Sequence, residues 1–415
     1  MTAVQSPHDA VEQAAARLAG VLGDSPLHRS PRLSARVGGE VWLKREDLQP
    51  VRSYKGRGAY NLLAQLDAGQ RAAGVVCASA GNHGQGVAFA CHALDVRGRV
   101  YVPRTTPRQK RDRIAEIGGG HVEVLVVGDT YDEAAASAAV DSEQTGAELV
   151  PAFDDLRTIA GQGTVVREIV EQLGGLPDTL VVPVGGGGLL AGTVSWLGSS
   201  PVRVVGVEPA GAACMAAALA AGGPVALEEL ESFVDGAAVR RAGDLTYPLV
   251  RDAGSELFVV AEGRVCTEML ALYQADGIIA EPAGALAAAA LGDVVHPAPG
   301  SVTVCVLSGG NNDVSRYAEV VERALVHEGR KHYFLVDFPQ EPGALRRFLD
   351  EVLGPDDDIT LFEYVKRSNR ETGPALVGIE LSRPEDLGGL LKRLEASPPQ
   401  ITPVAADSPL FRFLL

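Results

Sequence analysis

The sequence predicts a large α/β domain with a mostly parallel sheet, followed by a smaller α+β domain. Between about residues 40 and 310, short valine-rich runs that end in glycine or proline alternate with helical stretches. Such continuous apolar strands are typical of parallel sheets that helices cover on both faces. After about residue 327 the strands instead alternate apolar and charged residues, which indicates a change of fold.

The elements of the first domain begin with an alanine-rich helix over 9–22 and a strand over 40–44. Each later strand is predicted from an apolar run, and each helix from the stretch that follows it. These strand and helix pairs are 75–78 with 84–93, 99–102 with 107–117, 122–127 with 131–145, 179–184 with 189–197, 202–207 with 212–221, 257–260 with 264–276, and 302–307 with 314–326.

The second domain follows a linker over 327–330. Its predicted strands cover 331–338, 359–367, 375–381 and 401–406, its helices cover 343–353 and 384–394, and a turn covers 369–374. The order strand, helix, strand, strand, helix, strand is that of a ferredoxin-like domain. We therefore expect one domain over residues 1–326 and a second over 331–415.

Composition and charge narrow the range of partners. The chain has 415 residues, of which 46% are hydrophobic and 22% are charged, as in globular proteins of two or three domains. The formal net charge of −16 argues against nucleic acid or an anionic membrane surface, because both are bound by basic patches.

Three features predict a cytoplasmic protein. The five cysteines are scattered without metal-binding spacing, which favours reduced and buried thiols. The N-terminus lacks the apolar stretch of a secretory signal. The longest apolar run, over 283–291, is too short to span a bilayer.

Lys55 is the first candidate catalytic residue. It stands in Ser53–Ala59, a glycine-rich segment that we interpret as a turn after the strand over 40–44. A lysine removed from water loses its proton easily and becomes a nucleophile, the state that a Schiff base requires. The alternative is a solvated surface charge, which is the commoner role of a lysine.

The segment Ser79–Gly86 follows a predicted strand and opens a helix. Its glycines let the backbone approach a ligand, and the first amides of the helix favour an anion such as a substrate carboxylate. Asn82 offers both a donor and an acceptor to a ring substituent. In the alternative interpretation, Ser79 and Asn82 only cap the helix.

Two more loops follow predicted strands. The first predicts a cradle of amides around a phosphate, and it consists of Gly185, Gly186, Gly187, Gly188 and Leu189. It matches neither the nucleoside-triphosphate nor the dinucleotide fingerprint, and a tight turn is the alternative. In the second, Ser308 could bind a ring nitrogen or merely cap the next helix. Together the four segments fit pyridoxal phosphate.

These segments resemble, in order, the motifs of the threonine dehydratases (threonine ammonia-lyases). That family belongs to the fold-type-II pyridoxal-phosphate enzymes, which are related to the β subunit of tryptophan synthase. The resemblance covers roughly residues 20–320. Residues 331–415, notably Phe338–Leu345 and Asp358–Tyr364, resemble the single ACT-like regulatory domain of the short biosynthetic form.

The resemblance implies a role for each segment. In the catalytic domain, a smaller subdomain of about residues 55–160 is expected to be inserted in a larger one. Lys55 would hold the cofactor covalently, Asn82 would contact its hydroxyl, Gly185–Leu189 would hold its phosphate, and Ser308 would face its pyridine nitrogen. Contacts to the substrate are expected from Ser79, Gly81 and His83, with the side chain of His83 packing rather than acting in catalysis.

The resemblance also implies an activity. L-Threonine, or L-serine, would lose its α-proton to Lys55 and then its β-hydroxyl, to give 2-oxobutanoate and ammonia from threonine. This is the first committed step of isoleucine biosynthesis. Isoleucine is the expected inhibitor, valine is a candidate activator, and a homotetramer is the expected assembly.

Two positions bear on which reaction follows. A neutral Ser308 near the ring nitrogen stabilises a carbanion less than a carboxylate would, which favours elimination over transamination or racemisation. Serine racemases of this fold carry a hydroxyl at the place of Ala80. The methyl group of Ala80 therefore predicts little racemisation.

Several alternatives stay open at this point. They are a catabolic serine/threonine dehydratase, a threonine synthase and a non-catalytic amino-acid sensor, whereas a nucleotide-binding oxidoreductase lacks its fingerprint. We expect no metal site, because Glu208 with the thiol of Cys214 is a poor ligand set for hard cations. Glu208 is interpreted as a surface carboxylate, and Glu281 either lines the cofactor pocket or lies at the surface.

Overall fold

The computed structural model describes residues 6–364, 371–397, 399–405 and 408–414. The chain divides into two compact units. The first unit contains the chain up to Glu262 together with Ala271–Asn312, and the second contains Gly263–Leu270 and the chain from Asp313 onward.

Strands and helices are numbered along the chain. The strands are β1 Leu27–Arg29, β2 Glu40–Arg45, β3 Val75–Ala78, β4 Gly98–Val102, β5 Val122–Val126, β6 Glu148–Leu149, β7 Thr179–Pro183, β8 Arg203–Pro209, β9 Glu256–Val260, β10 Val302–Leu307, β11 Lys331–Pro339, β12 Asp358–Tyr364, β13 Thr372–Glu380 and β14 Gln400–Pro403. The helices are α1 Pro7–Leu18, α2 Pro31–Val37, α3 Lys55–Leu63, α4 Ala68–Ala73, α5 Asn82–Leu94, α6 Arg108–Gly118, α7 Tyr131–Thr145, α8 Leu156–Leu173, α9 Gly188–Leu197, α10 Cys214–Ala221, α11 Thr246–Asp252, α12 Glu262–Asp276, α13 Pro282–Ala290, α14 Tyr317–His327, α15 Ala344–Val352, α16 Leu387–Ala396 and α17 Pro409–Leu414.

Two sheets form the first unit. One has six strands in the order β1-β2-β10-β7-β8-β9, and every pair in it is parallel except β1 with β2. The other has four parallel strands in the order β5-β4-β3-β6. We call this four-stranded sheet with α3–α7 the small lobe, and the six-stranded sheet with its helices the large lobe.

The two central strands of the large lobe are buried on both faces. All five residues of β7 are buried, and so are five of the six residues of β10. Such strands carry no polar face, which explains their continuous apolar sequence. The prediction of an α/β fold with mostly parallel sheets is confirmed.

The second unit holds an antiparallel sheet in the order β12-β13-β11-β14, with α15 and α16 joining its strands. Its core includes Phe338, whose ring meets that of Phe348 at a centroid distance of 5.0 Å. The predicted ferredoxin-like order is confirmed. Residues 365–367 and 406 of two predicted strands, and residues 369–370 of the predicted turn, lie outside the described residues.

The structure contains helices that the sequence did not reveal, of which α3 and α8 matter most here. The prediction that Lys55 lies in a turn is wrong, because Lys55 is the first residue of α3. The glycines misled the interpretation because they serve helix packing: a Cβ on Gly58 would lie 2.3 Å from Gln162 Nε2, and one on Gly161 would lie 2.6 Å from Arg57 O. Glycine here lets α3 and α8 approach closely.

Two smaller expectations concern the thiols and the membrane. All five cysteines are buried and none forms a disulfide, as expected. Within the ranges that the structure describes, no helix combines the length and the apolar character that crossing a lipid bilayer demands.

Candidate active site

The loop before α3 is paired with the loop after β10, which brings Lys55 to the carboxyl edge of the large sheet. Ser53 and Gly309 form an antiparallel bridge, and the Tyr54 N–H donates to Ser308 O at 3.2 Å. Ligands of open α/β sheets bind at this edge. Lys55 and Ser308 are therefore neighbours although they are far apart in the sequence.

A buried ionic cluster fixes the start of α3. Arg57 donates two hydrogen bonds to Glu46, both of 2.8 Å, and two to Glu168, of 2.5 and 2.8 Å. Lys44 donates to the same Glu168 at 2.7 Å. All four side chains are at least 94% buried, so each charge needs its partners. This cluster orients the helix that carries Lys55 two residues before Arg57.

Lys55 is held in place by the backbone and by its neighbours. Its Nζ donates to Ala152 O at 2.9 Å and lies 5.2 Å from the centre of the Tyr54 ring. Desolvation lowers the pKa of Lys55 to about 8, although the Glu281 carboxylate opposes this effect. An amine with that pKa is partly neutral near physiological pH, the state in which it attacks a carbonyl. The half-buried Lys55 is therefore not the solvated surface charge of the alternative interpretation, and its catalytic role stays a prediction.

Asn82 opens α5 and faces the same edge. No side chain caps this helix in the described part of the chain, so the capping interpretation of Ser79 and Asn82 is wrong. Asn82 Nδ2 donates to Glu281 Oε1 at 2.6 Å, and Asn82 Oδ1 accepts from Asn311 Nδ2 at 2.7 Å. Glu281 is buried, which rules out the surface role. Desolvation and the nearby Asp235 raise the pKa of Glu281 to about 7.

The three predicted substrate contacts lie around the start of α5. Ser79 Oγ accepts from the Gly81 N–H at 3.2 Å, so that amide is already occupied. His83 Nε2 lies 2.8 Å from Val150 O and its ring is buried. Desolvation lowers the pKa of His83 to about 4, so the ring is neutral and donates to that carbonyl. The bond to Val150 therefore occupies Nε2 of the ring, and the backbone of His83 remains for a ligand.

The loop Gly185–Gly188 turns its carbonyls toward the large lobe. Gly186 O accepts from Thr246 Oγ1 at 2.6 Å, and Gly185 O accepts from Cys214 Sγ at 3.4 Å. The helix α9 that follows has no side-chain cap within the described residues. Because the carbonyl groups of this loop accept hydrogen bonds from the large lobe, its amide groups can bind an anion at the start of α9.

Glycine is required in this loop. A Cβ on Gly186 would lie 2.4 Å from the ring of Phe153, and Gly187 has a φ of +95° that other residues rarely adopt. Phe153 follows Ala152, the residue whose carbonyl holds Lys55. The glycine loop and Lys55 therefore flank one another. The tight-turn alternative explains Gly187 but not the uncapped helix beyond it.

Ser308 is buried at the end of β10. Its Oγ donates to Ala283 O at 3.3 Å, rather than capping a helix as the alternative supposed. The hydroxyl oxygen keeps its acceptor capacity and can turn toward another partner. The position agrees with a group that faces a ligand ring.

Glu208 is fully buried, so its interpretation as a surface carboxylate is wrong. Its two oxygens accept the N–H groups of Met215 and Ala216, at 2.7 and 2.8 Å, and thereby cap α10. Desolvation raises the pKa of Glu208 to about 7. Among the described residues, no group of three or more histidine, cysteine, aspartate or glutamate side chains lies close enough to hold a metal.

The residues present fit pyridoxal phosphate. An uncapped helix behind a glycine loop suits the phosphate, an amine of lowered pKa suits the aldehyde, and Asn82 and Ser308 stand at the same edge. The fold and the site together define a fold-type-II pyridoxal-phosphate-dependent enzyme.

Comparison with known proteins places the chain more narrowly. Residues 18–309 match the family described as pyridoxal-phosphate dependent enzymes, and residues 322–414 match the C-terminal regulatory domain of threonine dehydratase. The chain is 62% identical to a biosynthetic L-threonine dehydratase of Mycobacterium tuberculosis, over 98% of this chain and 95% of the relative. The chain belongs to the biosynthetic threonine dehydratases.

Other similar proteins include a second dehydratase, a deaminase and a racemase. The chain is 47% identical to a biosynthetic L-threonine dehydratase of Bacillus subtilis, over 94% of this chain and 93% of the relative. Among solved structures, the processed threonine deaminase isoform 2 of Solanum lycopersicum has a TM-score of 0.70 and 36% identity, covering 76% of this chain and 94% of that one. Maize serine racemase has a TM-score of 0.71 and 31% identity, covering 78% and 98%.

These findings confirm the predicted family, fold class, enzyme class and cofactor. The roles of the individual site residues stay predictions. Sequence reasoning missed Phe153, Thr246 and Asn311 as parts of the site. Only Asn311 carried a signal, since it follows Ser308 in a glycine-containing loop.

Proposed function

We propose that this protein deaminates L-threonine to 2-oxobutanoate and ammonia, as the first committed step of isoleucine biosynthesis. One observation carries the proposal: the amine of Lys55, with its lowered pKa, lies beside the glycine loop and the ends of β3 and β10. The names of the relatives, which are biosynthetic L-threonine dehydratases, support threonine as the substrate.

Four segments would hold the cofactor. Lys55 would bind it covalently, Asn82 would contact its ring hydroxyl, Gly185–Leu189 would hold its phosphate and Ser308 would face its pyridine nitrogen. When bound, pyridoxal phosphate supplies the electron sink for removing an α-proton and expelling a β-substituent. The protein supplies position and electrostatics.

Lys55 is also the base for the α-proton. A pKa of about 8 allows the amine to accept a proton at one point of the cycle and to release it at another. Its bond to Ala152 O keeps Nζ directed into the site. Ser308 is neutral, so nothing at that position forces a full positive charge on the ring, which favours elimination.

The substrate carboxylate would bind at the start of α5. The Gly81 amide is taken by Ser79, so the hydroxyl proton of Ser79 and the first amides of the helix are the donors that remain. The helix dipole adds to their attraction for an anion. His83 takes part through its backbone, because its ring is tied to Val150.

An assay of 2-oxobutanoate with L-threonine, and of pyruvate with L-serine, tests the activity. We expect turnover of threonine by the wild type and none by Lys55→Ala. Failure of the cofactor-loaded wild type to deaminate threonine would contradict the proposal and favour an amino-acid sensor. A clear preference for serine would favour a catabolic serine/threonine dehydratase.

We further propose that residues 331–415 form a regulatory domain that senses isoleucine, attached to a catalytic domain over 1–326 with its smaller subdomain over about 55–160. The match to a threonine dehydratase regulatory domain supports this assignment. Feedback inhibition suits the first committed step of a pathway. Valine would oppose isoleucine, and a homotetramer is the proposed assembly.

Isothermal titration with isoleucine tests the regulatory role. The full chain and a truncation at residue 328 are compared, and the truncation is first checked for cofactor binding. We expect binding by the full chain only. Equal binding by a cofactor-loaded truncation would place the effector site in the catalytic domain and overturn the assignment.

A further inference from the structure

A chain of hydrogen bonds crosses the site from the backbone of Val51 to the buried Glu281. Asn311 Nδ2 donates to Val51 O at 2.8 Å and to Asn82 Oδ1 at 2.7 Å. Asn82 Nδ2 then donates to Glu281 Oε1 at 2.6 Å. Asn82 is thus held from both ends, by residues that lie 229 and 199 positions away in the sequence.

The chemistry of the two ends fixes which way the Asn82 amide points. A backbone carbonyl can only accept, so Asn311 must present Nδ2 to Val51. The second hydrogen of that Nδ2 requires an acceptor, which makes Oδ1 the atom of Asn82 that faces Asn311. An ionised Glu281 also only accepts, so it demands Nδ2 of Asn82. Both ends select the same orientation.

One N–H of Asn82 is left over. The amide nitrogen carries two hydrogens, and Glu281 receives one of them. Asn82 is half-buried at the start of α5, and among the described residues its Nδ2 has no second acceptor. Asn82 therefore offers a ligand a donor whose orientation is fixed before the ligand arrives.

We propose that Asn311 and Glu281 are positioning residues, which hold the Asn82 amide so that it donates to the ring oxygen of the cofactor. This inference rests on the proposed function, in which Asn82 contacts that hydroxyl. A ring oxygen that receives a hydrogen bond from a fixed donor is stabilised in its ionised form. Loss of the orientation would make that oxygen harder to ionise and would weaken cofactor binding.

Charged groups surround this chain of bonds. Lys55 and Lys110 favour the ionised form of Glu281, whereas Asp235 disfavours it. The hydrogen bond from Asn82 also favours the ionised form of Glu281. Removing Asn311 leaves Glu281 in place, so the Asn82 amide is then held at one end only.

Three variants and a control test the proposal. Asn311→Asp has the same shape but cannot donate, so it opposes both Val51 O and Asn82 Oδ1. Asn311→Leu removes the bonds, and Glu281→Gln keeps an acceptor while it removes the charge. Asn312→Leu is the matched control, because the buried polar atoms of Asn312 have no protein partner in the described residues. The measurements are the cofactor dissociation constant and the pH at which the visible spectrum of the bound cofactor changes.

We expect both Asn311 variants to weaken cofactor binding by roughly tenfold or more, the loss typical of a hydrogen bond to a charged group. Their spectral transition should move to higher pH, with Asn311→Asp affected most and Asn312→Leu like the wild type. A folded Asn311→Asp protein that fails to take up cofactor would also support the proposal. An Asn311→Asp protein with wild-type affinity and spectrum would overturn it, and so would equal effects of Asn311→Leu and Asn312→Leu.

The proposed function itself is checked on the wild type. If borohydride fixes the cofactor to Lys55 but the Asn311 variants behave as the wild type, only the positioning role fails. If the wild type carries no cofactor on Lys55, the proposed function fails first.

Discussion

Lys110 Nζ and Asp235 Oδ2 lie 2.8 Å apart and join helix α6 of the small lobe to a loop of the large lobe. The next residue, Gly236, is close to the site, since a Cβ there would lie 3.8 Å from Asn82 Nδ2. Both charged side chains are partly exposed, at 32% and 40%. Such a partly exposed ion pair adds little to the free energy of unfolding. We therefore interpret it as a contact that holds the two lobes together beside the site.

Reversal of the two charges tests whether this ion pair supports turnover. We expect Lys110→Asp and Asp235→Lys each to lower kcat/KM for threonine by about three- to tenfold, because like charges then face each other across the mouth of the site. The double reversal should recover most of the loss. If the loss of kcat/KM in the double variant equals the product of the losses in the two single variants, a direct pairing is contradicted.

Gly186 tests the fit of the glycine loop. Gly186→Ala places a methyl group 2.4 Å from the ring of Phe153, so the loop must move. We expect cofactor affinity to fall by roughly tenfold or more, with partial recovery when Phe153→Leu is added. Gly175→Ala is the matched control, since a Cβ there meets nothing within 4 Å. Equal affinities of the Gly186 and Gly175 variants in a cofactor titration would refute the packing argument.

Whether a residue of this site can be predicted from the sequence depends on how far along the chain its contacts lie. Strand ends followed by glycine, serine or asparagine identify Lys55, Asn82, the glycine loop and Ser308, because parallel strands place such loops at one edge. The partners that hold these groups come from distant positions and leave no local pattern: Asn82 meets Glu281, 199 residues away, and Lys110 meets Asp235, 125 residues away.

Helix α8 shows why part of the fold escaped prediction. Its glycines resemble helix breakers, since glycine lowers helix propensity by about 1 kcal/mol. In the structure they permit contacts that a larger residue would prevent, as a Cβ on Gly163 would lie 2.7 Å from Gly192 O. Glu208 was misjudged for a related reason, because no sequence pattern shows that a carboxylate caps the helix six residues later.

The pKa of Glu208 predicts a pH-dependent stability. Its folded-state pKa of about 7 lies above the ordinary value for a glutamate. The stability of the folded state that depends on this group is therefore complete at low pH and is lost as the pH rises through 7. Glutamine cannot titrate. The melting temperature of Glu208→Gln, relative to the wild type, should therefore rise between about pH 5 and about pH 8. A difference that stays constant or falls over that range would refute a buried, titrating carboxylate.

Ala80 predicts the stereochemical outcome. It is partly buried between β3 and α5, beside Ser79, and its methyl group cannot deliver a proton. We expect Ala80→Ser to increase exchange of the α-proton and to give measurable D-amino acid, whereas the wild type gives little. Chiral chromatography of threonine and serine after incubation in deuterated water measures both. Wild-type levels of exchange in a folded, active Ala80→Ser enzyme would show that the methyl group of Ala80 does not limit racemisation.

Chemical trapping tests whether Lys55 holds the cofactor. The protein is loaded with pyridoxal phosphate, reduced with borohydride, digested and analysed by mass spectrometry. Lys44 is the internal control, since it is buried but paired with Glu168. We expect the mass of the reduced cofactor on the peptide that contains Lys55 and none on Lys44. An unmodified Lys55 in the presence of excess cofactor, or a label on another lysine, would contradict it.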